Sequence, residues 1–321
     1  MIEIQNLEKN FEIKSGLFQK PEWVHAVNSV SLSIDSNEAL GLVGESGCGK
    51  STLGRICLGL LKPTSGSVYF LDQNVHKLRR KEMKEFRRKA QIIFQDSLAA
   101  LNPRKTVYHT LSQPFIVHKI ARKGEIKTRV KELLTEVGLN PPELFFNRFP
   151  HQLSGGQRQR VCIARSVALS PIFLVADEPV SSLDMSVRAQ ILELLKKLQT
   201  DFKLTVLFIT HELSVVRSMT NRVAVMYLGK IVELANVNDL FNKPSHPYTV
   251  GLLGATPIPN PRLARSRELK TLSGETPSPK NLPNGCYFNP RCKDAMPICR
   301  ERTPPLVSLQ NDHTVLCWKY A

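Results

Sequence analysis

The stretch Ala39–Arg55, ALGLVGESGCGKSTLGR, decides how the rest of the sequence is read. It opens with a continuous apolar run, as a strand covered on both faces does. Gly44-Glu45-Ser46-Gly47-Cys48-Gly49-Lys50-Ser51 then fits the P-loop pattern GxxxxGK[ST], and the residues from Ser51 and Thr52 onward read as a helix that stops before Pro63. A glycine loop between a buried strand and a helix lets the backbone wrap a phosphate, whose charge is stabilised by amide N–H groups and by the helix N-terminus. Gly44, Ser46, Gly47, Cys48, Gly49, Lys50, Ser51 and Thr52 are therefore expected to bind a nucleotide. Within that set Lys50 can reach the β and γ phosphates, and Ser51 can ligate magnesium.

Outward from this loop, buried strands alternate with amphipathic helices. SLSID, from Ser31, alternates like a half-buried strand. Ile126, Val130, Leu133, Leu134 and Val137 fall on one helical stripe that ends at Gly138, and residues 157–169 read as another helix. IFLVADE (172–178) is a short buried strand ending in two acids, followed by a helix with the stripe Val187, Ile191, Leu194, Leu195 and Leu198. LTVLFIT (204–210) is a further buried strand, and VAVMYLGKIVEL (223–234) reads as two strands about a Leu-Gly-Lys turn. This alternation predicts an α/β fold with a largely parallel sheet. Beyond about residue 236 the composition turns proline-rich, which places a boundary there.

Composition narrows the classes. With 321 residues, 42% hydrophobic and 22% charged, the chain is expected to be one core domain with appendages. No apolar run approaches the ~18 residues of a membrane span, and the N-terminal MIEIQNLEKNFEIKSG lacks a signal-peptide layout, so a cytosolic chain is expected. The net charge of +16 makes polyanions plausible neighbours. Part of it lies in KLRRKEMKEFRRK (77–89), eight basic residues against two acidic ones, which reads as a solvated helix face. The seven cysteines do not read as a disulfide framework; Cys48, Cys57 and Cys162 are scattered, whereas Cys286, Cys292, Cys299 and Cys317 share the tail.

Two further features carry chemistry. The strand end Asp177-Glu178 can give its two acids different tasks, with Asp177 holding hydrated magnesium and Glu178 polarising the attacking water as a general base. Leu153-Ser154-Gly155-Gly156-Gln157 heads a helix and forms a second glycine-rich anion site, as expected where phosphate is gripped from both sides. At this point the sequence resembles the ATP-binding subunits of ABC transporters. The resemblance covers about residues 1–250 and six motifs in order: the P-loop, Gln95 in IIFQDSLAALNP, the signature LSGGQRQR, the strand with Asp177 and Glu178, the D-loop Ser181-Ser182-Leu183-Asp184, and His211 in FITHELSVV.

The resemblance implies a P-loop NTPase core over residues 1–235, with a helical subdomain at about 96–165 and a small cysteine-rich extension over 236–321. It implies ATP with Mg2+ as cofactor, held at Ser51, Gln95 and Asp177. Glu178, His211 and Gln95 are implied as the catalytic residues, Gln95 linking magnesium and water to the membrane-subunit interface and His211 contacting the γ phosphate. Ser154, Gly155, Gly156, Gln157 and Asp184 are implied to complete the ATP site of a facing subunit. Phe11 matches the place of an aromatic residue that stacks on adenine; Phe18 and Trp23 lie in what looks like an insertion.

SHPYTVGLL, LSGETPSP and FQDSLAALNPRKTV look like the dipeptide and oligopeptide branch of the importers, in which nickel, glutathione and oligosaccharide are also carried. That branch implies a second, different ATPase subunit, two transmembrane permease subunits, an extracytoplasmic binding protein and a peripheral place at the cytoplasmic face of the membrane. The tail spacing Cys286-x5-Cys292-x6-Cys299-x17-Cys317 is a four-thiolate set that zinc or an iron-sulfur cluster could fold. The resemblance favours [4Fe-4S] over Zn2+. His313 is expected to be a surface or packing residue. A DNA- or ribosome-acting ABC ATPase is the rival reading, but there is one cassette here and no heptad array, and no nucleic-acid partner is expected. A non-hydrolysing regulatory subunit is a third, and it predicts a damaged signature or a lost glutamate; both motifs are intact.

Overall fold

The computed structural model describes residues 1–13, 21–255, 272, 274–310 and 312–321. In chain order its strands are β1 (Ile2–Ile13), β2 (Glu22–Ile34), β3 (Ala39–Val43), β4 (Ser65–Phe70), β5 (Gln73–Asn74), β6 (Ala90–Ile93), β7 (Phe173–Asp177), β8 (Thr205–Thr210), β9 (Arg222–Tyr227), β10 (Lys230–Asn236), β11 (Leu306–Ser308) and β12 (Thr314–Leu316). They fall into two compact units, one of Met1–Ile34, Ala39–His76 and Ile209–Ala321, the other of Asp35–Glu38 and Lys77–Phe208.

In the first unit, β2-β1-β4-β5 form an antiparallel sheet, with Ile2 opposite both Ile34 and Phe70. Ile2, Ile4, Leu7, Val30, Leu32, Ile34 and Val68 are buried there. A second sheet runs β11-β12-β10-β9-β3. β3 lies parallel to β9, with Val43 beside Val225, and is buried at all five residues, as its apolar run requires. The β9–β10 hairpin turns through Leu228 and Gly229 at φ 42 and 80, the paired positive angles that match the twist of a two-residue hairpin.

The tail is tied into this unit more closely than its proline content suggests. β12 pairs with β10 at Glu233↔Val315, and Phe288 is 2% exposed among Tyr227, Tyr248 and His246, with ring centroids 5.3, 5.5 and 5.7 Å away. Burying that ring contributes about 2 kcal/mol. Of the surface and packing roles expected for His313, it takes the packing one: it is buried, and its Nε2 lies 2.7 Å from Glu233 Oε1, on a carboxylate that also accepts the backbone N–H groups of Ser245 and His246. A buried acid needs such partners, and three of them come from the segment that follows β10.

In the second unit, β6 and β7 are parallel in the register Ala90↔Phe173 to Ile93↔Ala176, and the sheet order is β8-β7-β6. The stripes mark real helices. Ile126–Glu136 buries Ile126, Val130 and Leu134, while Met185–Asp201 buries Ile191, Leu194, Leu195 and Leu198. Leu133 and Val187 are half-buried at the stripe edges. Arg160 Nη1 donates to the Val137 carbonyl at the end of the first of these helices, satisfying an acceptor the helix leaves open. Helix Arg80–Lys89 buries only Phe86, so the basic run is a solvated face. The parallel pairs β3–β9 and β6–β7 are as expected, but the N-terminal strands form a wholly antiparallel sheet, and the β9–β10 hairpin and the tail add further antiparallel pairs.

Candidate active site

β3 delivers the chain into the glycine loop, and Lys50 starts helix Lys50–Cys57 with Gly49 as its N-cap at φ 106. A Cβ on Gly49 would stand 2.0 Å from the Ala26 carbonyl oxygen, so only glycine fits this approach. Lys50 is buried, and its Nζ donates to the carbonyls of Gly44 and Glu45, both at 2.8 Å. Ser46 and Gly47 are exposed, Ser51 and Thr52 half-buried, and Cys48 is buried with its thiol pushed up by burial, so it serves as packing rather than as a nucleophile.

The loop is held from outside by residues that the motif does not contain. The Glu45 N–H donates to Tyr248 Oη at 2.9 Å, and the Gly229 N–H donates to the Cys48 carbonyl at 2.9 Å. Arg291 grips the Glu45 carboxylate with both arms of its guanidinium, at 2.7 and 2.9 Å, and Thr276 Oγ1 donates to it at 2.7 Å. Burial alone would raise the Glu45 carboxyl, but the hydrogen bonds from Arg291 and Thr276, with the charges of Arg291 and Lys50, hold it below the usual range. Sequence reading missed Glu45 and Arg291, since a P-loop leaves that position free and nothing local signals a contact made 246 residues away.

Also in this unit, His211 is exposed directly after β8. Phe11 is 36% exposed on β1, with Lys9 Nζ 5.0 Å from its ring centroid, which leaves a ring face for stacking. Trp23 is 46% exposed on β2, and Phe18 lies outside the described residues.

The second unit carries the acids. Because β6 and β7 run parallel with Ile93 beside Ala176, the residues two further along, Gln95 and Glu178, meet: Gln95 Nε2 donates to Glu178 Oε2 at 3.0 Å. Asp177 is buried, whereas Glu178 is half-buried and takes φ 46. A left-handed backbone at a non-glycine residue costs of order 1 kcal/mol and persists where the surroundings fix it, as they do at functional sites. The signature residues form a reciprocal cap on helix Gly155–Val167. Ser154 Oγ accepts from the Gln157 N–H at 3.3 Å, and Gln157 Oε1 accepts from the Ser154 N–H at 3.1 Å. Among the described residues the Ser154 hydroxyl has no acceptor for its hydrogen, while the side-chain amide oxygen of Gln157 is occupied by the cap. Gly155 and Gly156 follow in the first turn. Asp184 caps helix Met185–Asp201, and the Val187 N–H and then the Ser186 hydroxyl hold its carboxyl below the usual range.

In the tail, Cys286, Cys292, Cys299 and Cys317 line one cavity of about 20 Å3, although 31 residues separate the first from the last. Burial, together with the nearness of the other thiols, pushes Cys286 up to about 11, and burial likewise raises Cys292 and Cys317. The donor set suits a soft metal. The space as it stands is about that of one water, and among the described residues no group of three or more His, Cys, Asp or Glu is placed to hold a metal ion. Also among the described residues, no helix is long and apolar enough to cross a membrane.

Comparison with known proteins matches residues 27–181 to the ABC transporter family and residues 232–299 to the C-terminal region of oligopeptide/dipeptide transporters. The chain is 46% identical over 323 residues to the oligopeptide transport ATP-binding protein AppF of Bacillus subtilis, spanning 100% of this chain and 98% of that one. It is 44% identical to the dipeptide transport ATP-binding protein DppF of Haemophilus influenzae, over 97% of this chain and 94% of that one. Among solved structures, a dimeric ATP-binding cassette bound to ADP and Pi superposes with a TM-score of 0.66 at 32% identity, covering 74% of this chain and 99% of that one. With the P-loop, the capped signature helix and the Gln95–Glu178 contact in place, the chain belongs to the ABC transporter ATPases, as an ATP-binding subunit carrying the oligopeptide/dipeptide transporter C-terminal region.

Proposed function

We propose that this chain hydrolyses ATP to drive import of dipeptides or oligopeptides through membrane partners. The observation that carries the catalytic part is the Gln95–Glu178 contact, which places an amide beside a carboxylate at the ends of two parallel strands. Glu178 accepts the proton of the attacking water, and Gln95 orients that carboxylate and relays the state of the site toward the permease interface. Lys50 exchanges its loop carbonyls for the β and γ phosphate oxygens, the P-loop amides from Ser46 to Thr52 cradle the phosphates, and His211 contacts the γ phosphate. Phe11 stacks on adenine. Ser51, Gln95 and Asp177 supply the oxygen donors that a hard dication takes, and bound magnesium offsets charge on the phosphates. Ser154, Gly155, Gly156 and Gln157, with Asp184, serve the nucleotide of a facing ATPase subunit.

The partners in this reading are a second, different ATPase subunit, two permease subunits and an extracytoplasmic binding protein, which hold the chain at the cytoplasmic face of the membrane. The tail relatives favour peptide over nickel, glutathione or oligosaccharide as cargo. Copurification of the tagged chain, followed by ATPase assay in vesicles, tests this. Two permease subunits should copurify, and peptide-loaded binding protein should raise turnover; a chain that purifies without permeases, or turnover indifferent to peptide, contradicts it.

For the four-cysteine cavity the favoured occupant is a [4Fe-4S] cluster, with Zn2+ as the alternative. The four convergent thiols support it, while the small volume requires them to turn outward on loading. Anaerobically purified protein should contain about four irons and four sulfides per chain, lost in Cys292→Ser. Stoichiometric zinc in colourless protein selects the alternative, and metal-free protein of unchanged stability removes both.

A further inference from the structure

Arg291 lies 246 residues from the P-loop, yet its guanidinium makes two parallel bonds to Glu45, Nη1 to Oε2 at 2.7 Å and Nη2 to Oε1 at 2.9 Å. Its side chain is only 5% exposed, and its charge lies 5.8 Å from the Tyr227 ring centroid and 6.0 Å from that of Phe288. Thr276 completes the set, donating to Glu45 Oε2 at 2.7 Å with its own Oγ1 3.2 Å from Arg291 Nη1. The guanidinium is aimed by a tight turn in which the Asn289 N–H reaches the Cys286 carbonyl and the Arg291 N–H reaches the Phe288 carbonyl.

Glu45 is a residue through which the loop can be steered. Its own carbonyl accepts from Lys50 Nζ, and its N–H is taken by Tyr248, so the backbone on either side of Glu45 is fixed relative to Arg291. A P-loop binds phosphate with amides that must already point inward, since ordering them at the moment of binding subtracts from affinity. A fork that matches a carboxylate in a fixed plane sets an orientation that a point charge does not.

We propose that Arg291 is a positioning residue for nucleotide binding: by holding Glu45 in a two-armed ion pair, the C-terminal region keeps the P-loop in its phosphate-receiving shape. This rests on the reading of the loop as an ATP site. It gives the C-terminal region a task within the nucleotide site that the P-loop motif itself does not specify.

The test is MgATP affinity of the full chain, measured by titration calorimetry in the cold on those variants that melting curves show to be folded. Arg291→Ala should weaken binding about tenfold or more, Arg291→Lys by an intermediate factor because charge is kept and the fork lost, and Glu45→Gln by about as much as Arg291→Ala. The double variant should be no weaker than either single one, since both remove the same interaction. Should Arg291→Ala fail to fold, Glu45→Gln and Arg291→Lys carry the test. Affinities within twofold of wild type in folded variants, or losses that multiply in the double variant, overturn the inference. If the wild-type chain does not bind MgATP, the ATP-site reading itself fails, and that outcome is separate from wild-type binding with unaffected variants.

Discussion

Gly49, Lys50 and Glu45 each answer a different demand of the phosphate loop. Gly49→Ala forces a Cβ to 2.0 Å from the Ala26 carbonyl at a φ of 106, so the loop must open; thermal melting should fall and MgATP binding should be lost. Lys50→Ala removes the charge proposed to face the phosphates and should weaken MgATP binding by at least about tenfold, read by calorimetry. Glu45 predicts a pH dependence. Its folded carboxyl sits below the ordinary 4.5, so the ion pair stabilises the chain fully above that value, and the contribution is lost as pH falls through 4.5 and below it. Acid melting curves of wild type and Glu45→Gln should therefore converge as pH drops, the difference being largest near neutrality. At this scale the sequence was legible wherever a residue belongs to a contiguous motif. The Arg291–Glu45 pair was not, since a long-range ion pair leaves no periodicity and no spacing rule behind it.

The signature helix and the N-terminal strand show what local pattern can and cannot convey. Ser154-x-x-Gln157 is an N-terminal cap by composition, and the helix begins at Gly155, two residues before the start read from its periodicity. Ser154→Arg loses that cap and, in the proposed arrangement, places bulk where a facing subunit's phosphate would be received. The isolated chain should keep MgATP binding at its own P-loop, while turnover of the assembled complex collapses; loss of binding in the isolated chain contradicts the arrangement. β1, by contrast, went unread. Its alternation, Ile2 and Ile4 buried and Glu3 exposed, breaks at Asn6 with φ 45, and register shifts recur between Ile4 and Asn10, so the period of two lasts only a few residues. Hairpin β9–β10 was read correctly because its turn residues are local.

For the molecule as a whole, the order of motifs was enough to assign the ATPase, whereas the integration of the tail was not. The turn to proline-rich composition beyond about residue 236 reads as a boundary. Phe288, Val315 and the buried Glu233–His313 pair tie the tail into the first unit all the same, through partners 40 to 82 residues away and by side chains that have no common stripe. The proposed role of Glu178 as the base is decided by ATP turnover of the assembled complex carrying Glu178→Gln. The amide keeps the shape of the carboxylate and can still pair with Gln95, but it cannot take the proton, so MgATP should bind with unchanged affinity while turnover drops at least about a hundredfold. Turnover within a few-fold of wild type in that complex would contradict the account.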